Sequence, residues 1–78
     1  MKFDLITTKQ TAKLLQVSVA SINYYTNLGL FNVRDKKGNA RLYDKNEILD
    51  VYGRMRRLMK EGYSLKLIKQ KLEKDWRI

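Results

Sequence analysis

Apolar side chains recur along the chain at helical spacing in four stretches, with short extended runs at the start and in the middle. Leu5 and Ile6 read as an extended lead-in. Thr7 followed three residues later by Gln10 is a capping-box pattern, which predicts a helix to about Gln16 with Ala12 and Leu15 facing the core. Val17 crosses a tight connection to Ser18, a good N-cap for a second helix through about Leu28, and Gly29 stands where that helix needs a positive φ. Val19, Ile22 and Tyr25 fall on one side of the second helix. Ala20, Asn23, Tyr24 and Asn27 fall on the other at i, i+3, i+4, i+7, a face that is polar and carries no charge.

Beyond it, Val33-Arg34-Asp35 and Ala40-Arg41-Leu42-Tyr43 read as two extended runs around the turn-forming cluster Lys36-Lys37-Gly38-Asn39, a small basic hairpin. Asp44 with Glu47 forms a second capping box, opening a helix with Ile48, Leu49, Tyr52, Met55, Leu58 and Met59 at helical spacing and ending at Gly62. Ser64 caps a last helix whose apolar stripe is Leu65, Ile68 and Leu72, with Trp76 on the same stripe. Leu67 lies off the stripe, and Gly53 sits inside the third helix at a cost of about 1 kcal/mol relative to Ala. The expected architecture is mostly α with a small β-hairpin: a helix-turn-helix, a wing, then a helix pair.

Composition narrows what such a domain does. The 78 residues hold 17 Lys+Arg against 8 Asp+Glu, a formal charge of +9, and no His or Cys. A chain of this length buries only about 60 to 65% of its unfolded surface, one modest core, so residues 1–78 are expected to form a single domain. Without His or Cys there is no thiol nucleophile, imidazole base or soft metal ligand, and no glycine-rich phosphate cradle appears, so neither an enzyme nor a metal or other cofactor is expected. The polar start MKFDLITTKQ lacks a signal-peptide apolar run, and no apolar run is long enough to span a bilayer. A cytoplasmic, nucleoid-associated protein is the expectation. Excess positive charge on a folded surface serves nucleic acid, an anionic membrane, an acidic protein or solubility. The apolar stripes are all needed for the core, which leaves no amphipathic face for a membrane.

The segments ITTKQTAKLL, VSVASINYYTNLGLF, GNARLYD and EGYSLKLIKQKL, in this order and spacing, make the chain from about Ile6 to Leu72 resemble the DNA-binding domain of the MerR family. The resemblance implies a winged helix-turn-helix that regulates transcription by binding double-stranded DNA, with the Ser18–Leu28 helix in the major groove. Family members usually carry arginine at the positions of Ala20 and Asn23 and an acidic residue at that of Thr26. Since bidentate arginine to guanine is the commonest specific base contact, this chain's base readout is expected to differ, with Asn23 and Asn27 as candidate readers of adenine. The family continues into a long dimerisation helix and an effector domain. This chain stops at Ile78, so an excised domain or a stand-alone member is expected, a monomer in solution that cooperates on tandem or inverted sites, with no effector domain.

The expected DNA-facing set is therefore Ser18, Ala20, Ser21, Asn23, Tyr24 and Asn27 on the second helix, Arg34, Lys36, Lys37, Arg41 and Tyr43 on the wing, and Arg54 and Arg57 on the third helix. The resemblance places Arg41 and Tyr24 on the DNA backbone, and Arg54 and Arg57 on flanking phosphates as part of a second wing. Each has a competing reading: Arg34, Lys36 and Lys37 as solvated turn charges, Arg41 as a cross-strand pair with Asp35, and the helical arginines, with Arg56 and Lys60, as a solvated face. Tyr25 reads as core and the Lys74 end as solubility. Two other functions stay open. An excisionase-like or phage architectural factor would bend DNA in cooperative arrays, and a MerR-like adapter for a co-chaperone would need neither the basic wing nor Arg41.

Overall fold

The computed structural model describes residues 4–76, with the side chains of 74–76 left aside. The element order is β1 (Leu5–Thr7), α1 (Thr8–Leu15), α2 (Val19–Asn27), β2 (Asp35–Lys37), β3 (Ala40–Asp44), α3 (Lys45–Lys60) and α4 (Leu65–Trp76). This is a winged helix-turn-helix: four helices around a small antiparallel sheet. The lead-in does more than enter the first helix. It pairs with β3 through Leu5↔Asp44, Ile6↔Tyr43 and Thr7↔Leu42, making a three-stranded sheet of order β1-β3-β2.

The capping box at Thr7 forms as expected: Gln10 N donates to Thr7 Oγ1 at 3.1 Å, and Thr7 N donates to Gln10 Oε1 at 2.8 Å. Where α1 ends, however, the expected glycine is missing. Gln16 takes its place in the left-handed region at φ 58°, its N–H bonding Lys13 O at 3.3 Å while Val17 N bonds Ala12 O at 3.0 Å. These two bonds satisfy the last carbonyls of the helix and turn the chain toward α2, at the cost of holding a side-chain-bearing residue where glycine is preferred. The same closure ends α2, now on Gly29 at φ 85°. There a β-carbon would lie 3.0 Å from Lys69 Cε and 3.1 Å from Nζ, so Gly29 also makes room for the α4 side chain that crosses it.

The hairpin is tighter than its sequence suggests. β2 lies two residues later than expected, with Lys36 opposite Arg41 and Lys37 opposite Ala40, so Gly38 and Asn39 alone form the turn. Gly38 has φ 63° and Asn39 no positive φ, the arrangement of a type II′ turn, whose twist matches that of the strands. Arg34 N still donates to Leu42 O at 2.8 Å, carrying the pairing one residue beyond the strand.

The core gathers Ile22, Leu30, Phe31, Tyr43, Ile48, Val51, Met55, Ile68 and Leu72 around Ala12 and Leu15 of α1. Tyr25 packs edge-on against Phe31 at 5.4 Å between centroids and near Tyr52 at 6.4 Å. Burial, then the phenols of Tyr52 and Tyr24, push its hydroxyl above the usual tyrosine range. Three expectations need correction. Val19 is exposed rather than internal, and on α3 Leu49 and Met59 are exposed whereas Val51 is buried. The helical turn of 100° per residue carries Leu49 away from the face that Ile48, Val51 and Met55 bury, whereas Met59 shares that face and is exposed in the last turn of the helix. Third, the Asp44 carboxylate caps Asn46 N at 3.0 Å without the reciprocal bond from Glu47, which instead pairs with Arg34. Leu67 is exposed as expected, while the expected core contact of Trp76 lies outside the described side chains. Among the described residues no helix is long and apolar enough to cross a membrane.

Two substitutions test this account by urea denaturation. Gln16→Gly should raise stability by about 1 kcal/mol, because it relieves the left-handed strain and keeps both backbone bonds. Gly53→Ala should raise it by a similar amount, about 1 kcal/mol, since a β-carbon there meets nothing within 4 Å.

Candidate nucleic-acid interface

The site begins with one half-buried hydroxyl pair. Thr26 Oγ1 donates to Ile22 O at 2.8 Å within α2, which uses its only proton, so the 2.8 Å contact with the Tyr43 hydroxyl must be a bond donated by Tyr43. Tyr43 is 0% exposed and cannot touch an external ligand, so its assignment to the DNA-facing set is withdrawn. Its role is to hold β3 against α2. Side chains two apart on a strand point to the same face, about 7 Å apart, so Arg41 emerges on the α2 side just beyond the core.

There it meets the outer face of α2. Asn23, Asn27 and Arg41 line one open cleft, together with Thr8 and Lys9 of α1 and Val19 of α2, and Asn39 and Ala40 close its hairpin end. Ala20 and Tyr24 are exposed on α2 beside it. Ser18 and Ser21 are at the helix start, where Ser18 Oγ accepts Ser21 N at 3.0 Å and shares a 3.0 Å bond with Ser21 Oγ. Of these two hydroxyl protons, one is used between them and one is left over. Thr8, Lys9 and Val19 were missed by sequence reasoning. The first two reach the cleft only because β1 pairs with β3, a long-range contact that no local pattern announces.

The wing places its charges unevenly. The register sets Lys36 directly opposite Arg41, on one face of the sheet, and sets Asp35 opposite Leu42. A pair between Arg41 and Asp35 is thereby ruled out as the role of Arg41, and the Asp35 carboxylate accepts Lys36 N at 2.7 Å. Among the described residues neither Lys36 nor Arg41 has an acidic partner, so two like charges face each other across the strands, an arrangement that destabilises a hairpin unless an anion joins it. Lys37 is exposed on the same strand. Arg34 behaves differently: it pairs with Glu47 and ties the wing to the start of α3.

Arg54 and Arg57 lie elsewhere. They flank Leu49, Gly53 and Leu72 on α3 and α4, a surface that shares no residue with the cleft, and Arg54 pairs with Asp50 at 3.5 Å. Among the described residues no group of His, Cys, Asp or Glu gathers that would hold a metal ion.

Residues 6–75 match the family model described as MerR HTH family regulatory protein. The chain belongs to the MerR HTH family. No curated protein and no solved structure matches it. The MerR HTH family is a non-enzymatic, DNA-binding family, and membership makes this a DNA-binding domain of transcription regulation, with double-stranded DNA as its partner.

Thermal denaturation separates the two roles on β3 of this MerR domain. Tyr43→Phe should cost about 1 kcal/mol of stability by orphaning the Thr26 acceptor. Arg41→Ala should change stability by less than about 0.5 kcal/mol, because it removes no partnered group.

Proposed function

We propose that this chain regulates transcription by laying α2 in the major groove, with Arg41 and Lys36 of the wing on the adjacent phosphate backbone. The observation that carries this reading is the shared cleft: the neutral amides of Asn23 and Asn27 stand beside Arg41, with Lys36 across the strands from it. Uncharged hydrogen-bonding groups suit base edges, while cations at the flanks suit phosphates. The unpaired like charges of Lys36 and Arg41 are relieved when a phosphate lies between them. Tyr24 and the spare hydroxyl proton of the Ser18–Ser21 pair supply further backbone contacts, Ala20 allows close approach of α2, and Lys37 adds charge at the wing tip. Arg34, held by Glu47, sets the position of the wing. Arg54 and Arg57 serve as a flanking phosphate contact on α3.

The test is fluorescence anisotropy of a labelled duplex across a salt series. With about 4 to 6 phosphate contacts, log K should fall against log salt with a slope of about −4 to −5. Arg41→Ala should weaken binding to all sequences alike and reduce that slope by about 1. A slope near zero, or an Arg41→Ala variant that binds as the parent does, counts against the reading.

A further inference from the structure

Val19, Asn23 and Asn27 stand at i, i+4 and i+8, one above another on α2 with about 6 Å between successive positions, and all three line the cleft. Val19 was expected on the same side as Ile22 and Tyr25, yet it is 39% exposed on a helix whose buried contribution is Ile22. The row holds two amides and one branched alkyl group, and α2 holds no Lys, Arg, Asp or Glu at all. Its neighbours Lys9 and Arg41 belong to α1 and β3, at the flanks of the helix where phosphates would lie.

The four bases differ in what they offer such a row. Guanine presents two acceptors that a guanidinium or ammonium fits, and cytosine a donor that a carboxylate fits, neither of which α2 supplies. Adenine presents an acceptor and a donor side by side, which one carboxamide matches with two hydrogen bonds, and thymine presents a methyl group that an alkyl side chain covers. We infer that α2 selects A·T base pairs, Asn23 and Asn27 reading adenine and Val19 covering a thymine methyl. The inference rests on the major-groove reading proposed above and adds the identity of the bases. It also accounts for the exposed valine, whose apolar surface is withdrawn from water only in the complex. The spacing of about 6 Å against a base-pair rise of about 3.4 Å places successive contacts about two base pairs apart.

The experiment enriches a bound sequence from a random duplex pool, then measures its affinity in versions with uracil for thymine and with 7-deazaadenine for adenine. Enrichment should return A·T pairs at the selected positions. Uracil, which lacks the methyl, should weaken the parent by about fourfold and leave Val19→Ala indifferent. 7-Deazaadenine, which lacks the acceptor, should weaken the parent on the order of tenfold and leave an Asn23→Ala, Asn27→Ala double variant indifferent. All three side chains are exposed, so these variants retain the fold. Enrichment of G·C pairs, or equal affinity for all versions with the steep salt dependence intact, would overturn the base assignment alone. Absence of binding to any duplex at low salt would overturn the major-groove reading and this inference with it.

Discussion

The hydrogen bond from the Tyr43 hydroxyl to Thr26 Oγ1 is the joint on which the candidate binding surface depends. Tyr43 is buried and Thr26 half-buried, and Thr26 has already given its own proton to Ile22 O, so the geometry has one solution rather than two. A buried hydroxyl without its partner is costly, which fixes the approach of β3 to α2 more sharply than apolar packing alone would. From that fixed point the sheet does the rest. Arg41 follows from Tyr43 by strand alternation, Lys36 from Arg41 by hairpin register, and the neutral face of α2 lies alongside because Thr26 belongs to the same helix as Asn23 and Asn27.

Much of the fold is legible in local sequence because its boundaries are set by local chemistry. Thr7 with Gln10, Ser18, Asp44 and Gly29 are each sufficient to place an end of a helix, since a cap needs only residues within one turn. What local reading misses is of two kinds. Gln16 closes α1 without the residue type that normally signals closure, because two backbone bonds pay for its left-handed conformation. Strand β1, by contrast, exists only through its pairing with β3, thirty-odd residues away in the chain, and a three-residue run has too little pattern to announce a partner.

The binding surface divides along the same line. Asn23, Asn27 and Arg41 are legible as candidates because their residue types and helical spacing suit a polyanion, and the resemblance supplies their setting. Tyr43 and Val19 exchange places relative to expectation for one reason: which face of a strand or helix is covered depends on neighbours far off in sequence. Tyr43 shares its face with Arg41 but sits one step farther into the core, whereas Val19 shares its side with Ile22 but sits one turn too near the open end of α2 to be covered.

Lys69 has a consequence beyond filling the space above Gly29. A helix carries partial positive charge at its N-terminus and partial negative charge at its C-terminus, and α2 has no charged side chain to offset either. Laid along a nucleic-acid groove, its Ser18 end attracts phosphates while its Asn27 end repels them. The ammonium of Lys69 comes within 3.1 Å of the point where a Gly29 β-carbon would sit and also pairs with Glu73 at 3.4 Å, so α4 brings a cation, partly offset by its own carboxylate, to the end of α2 that needs one. The side chain that crosses Gly29 thereby softens, at the Asn27 end alone, the repulsion that an uncharged helix would meet from a polyanion.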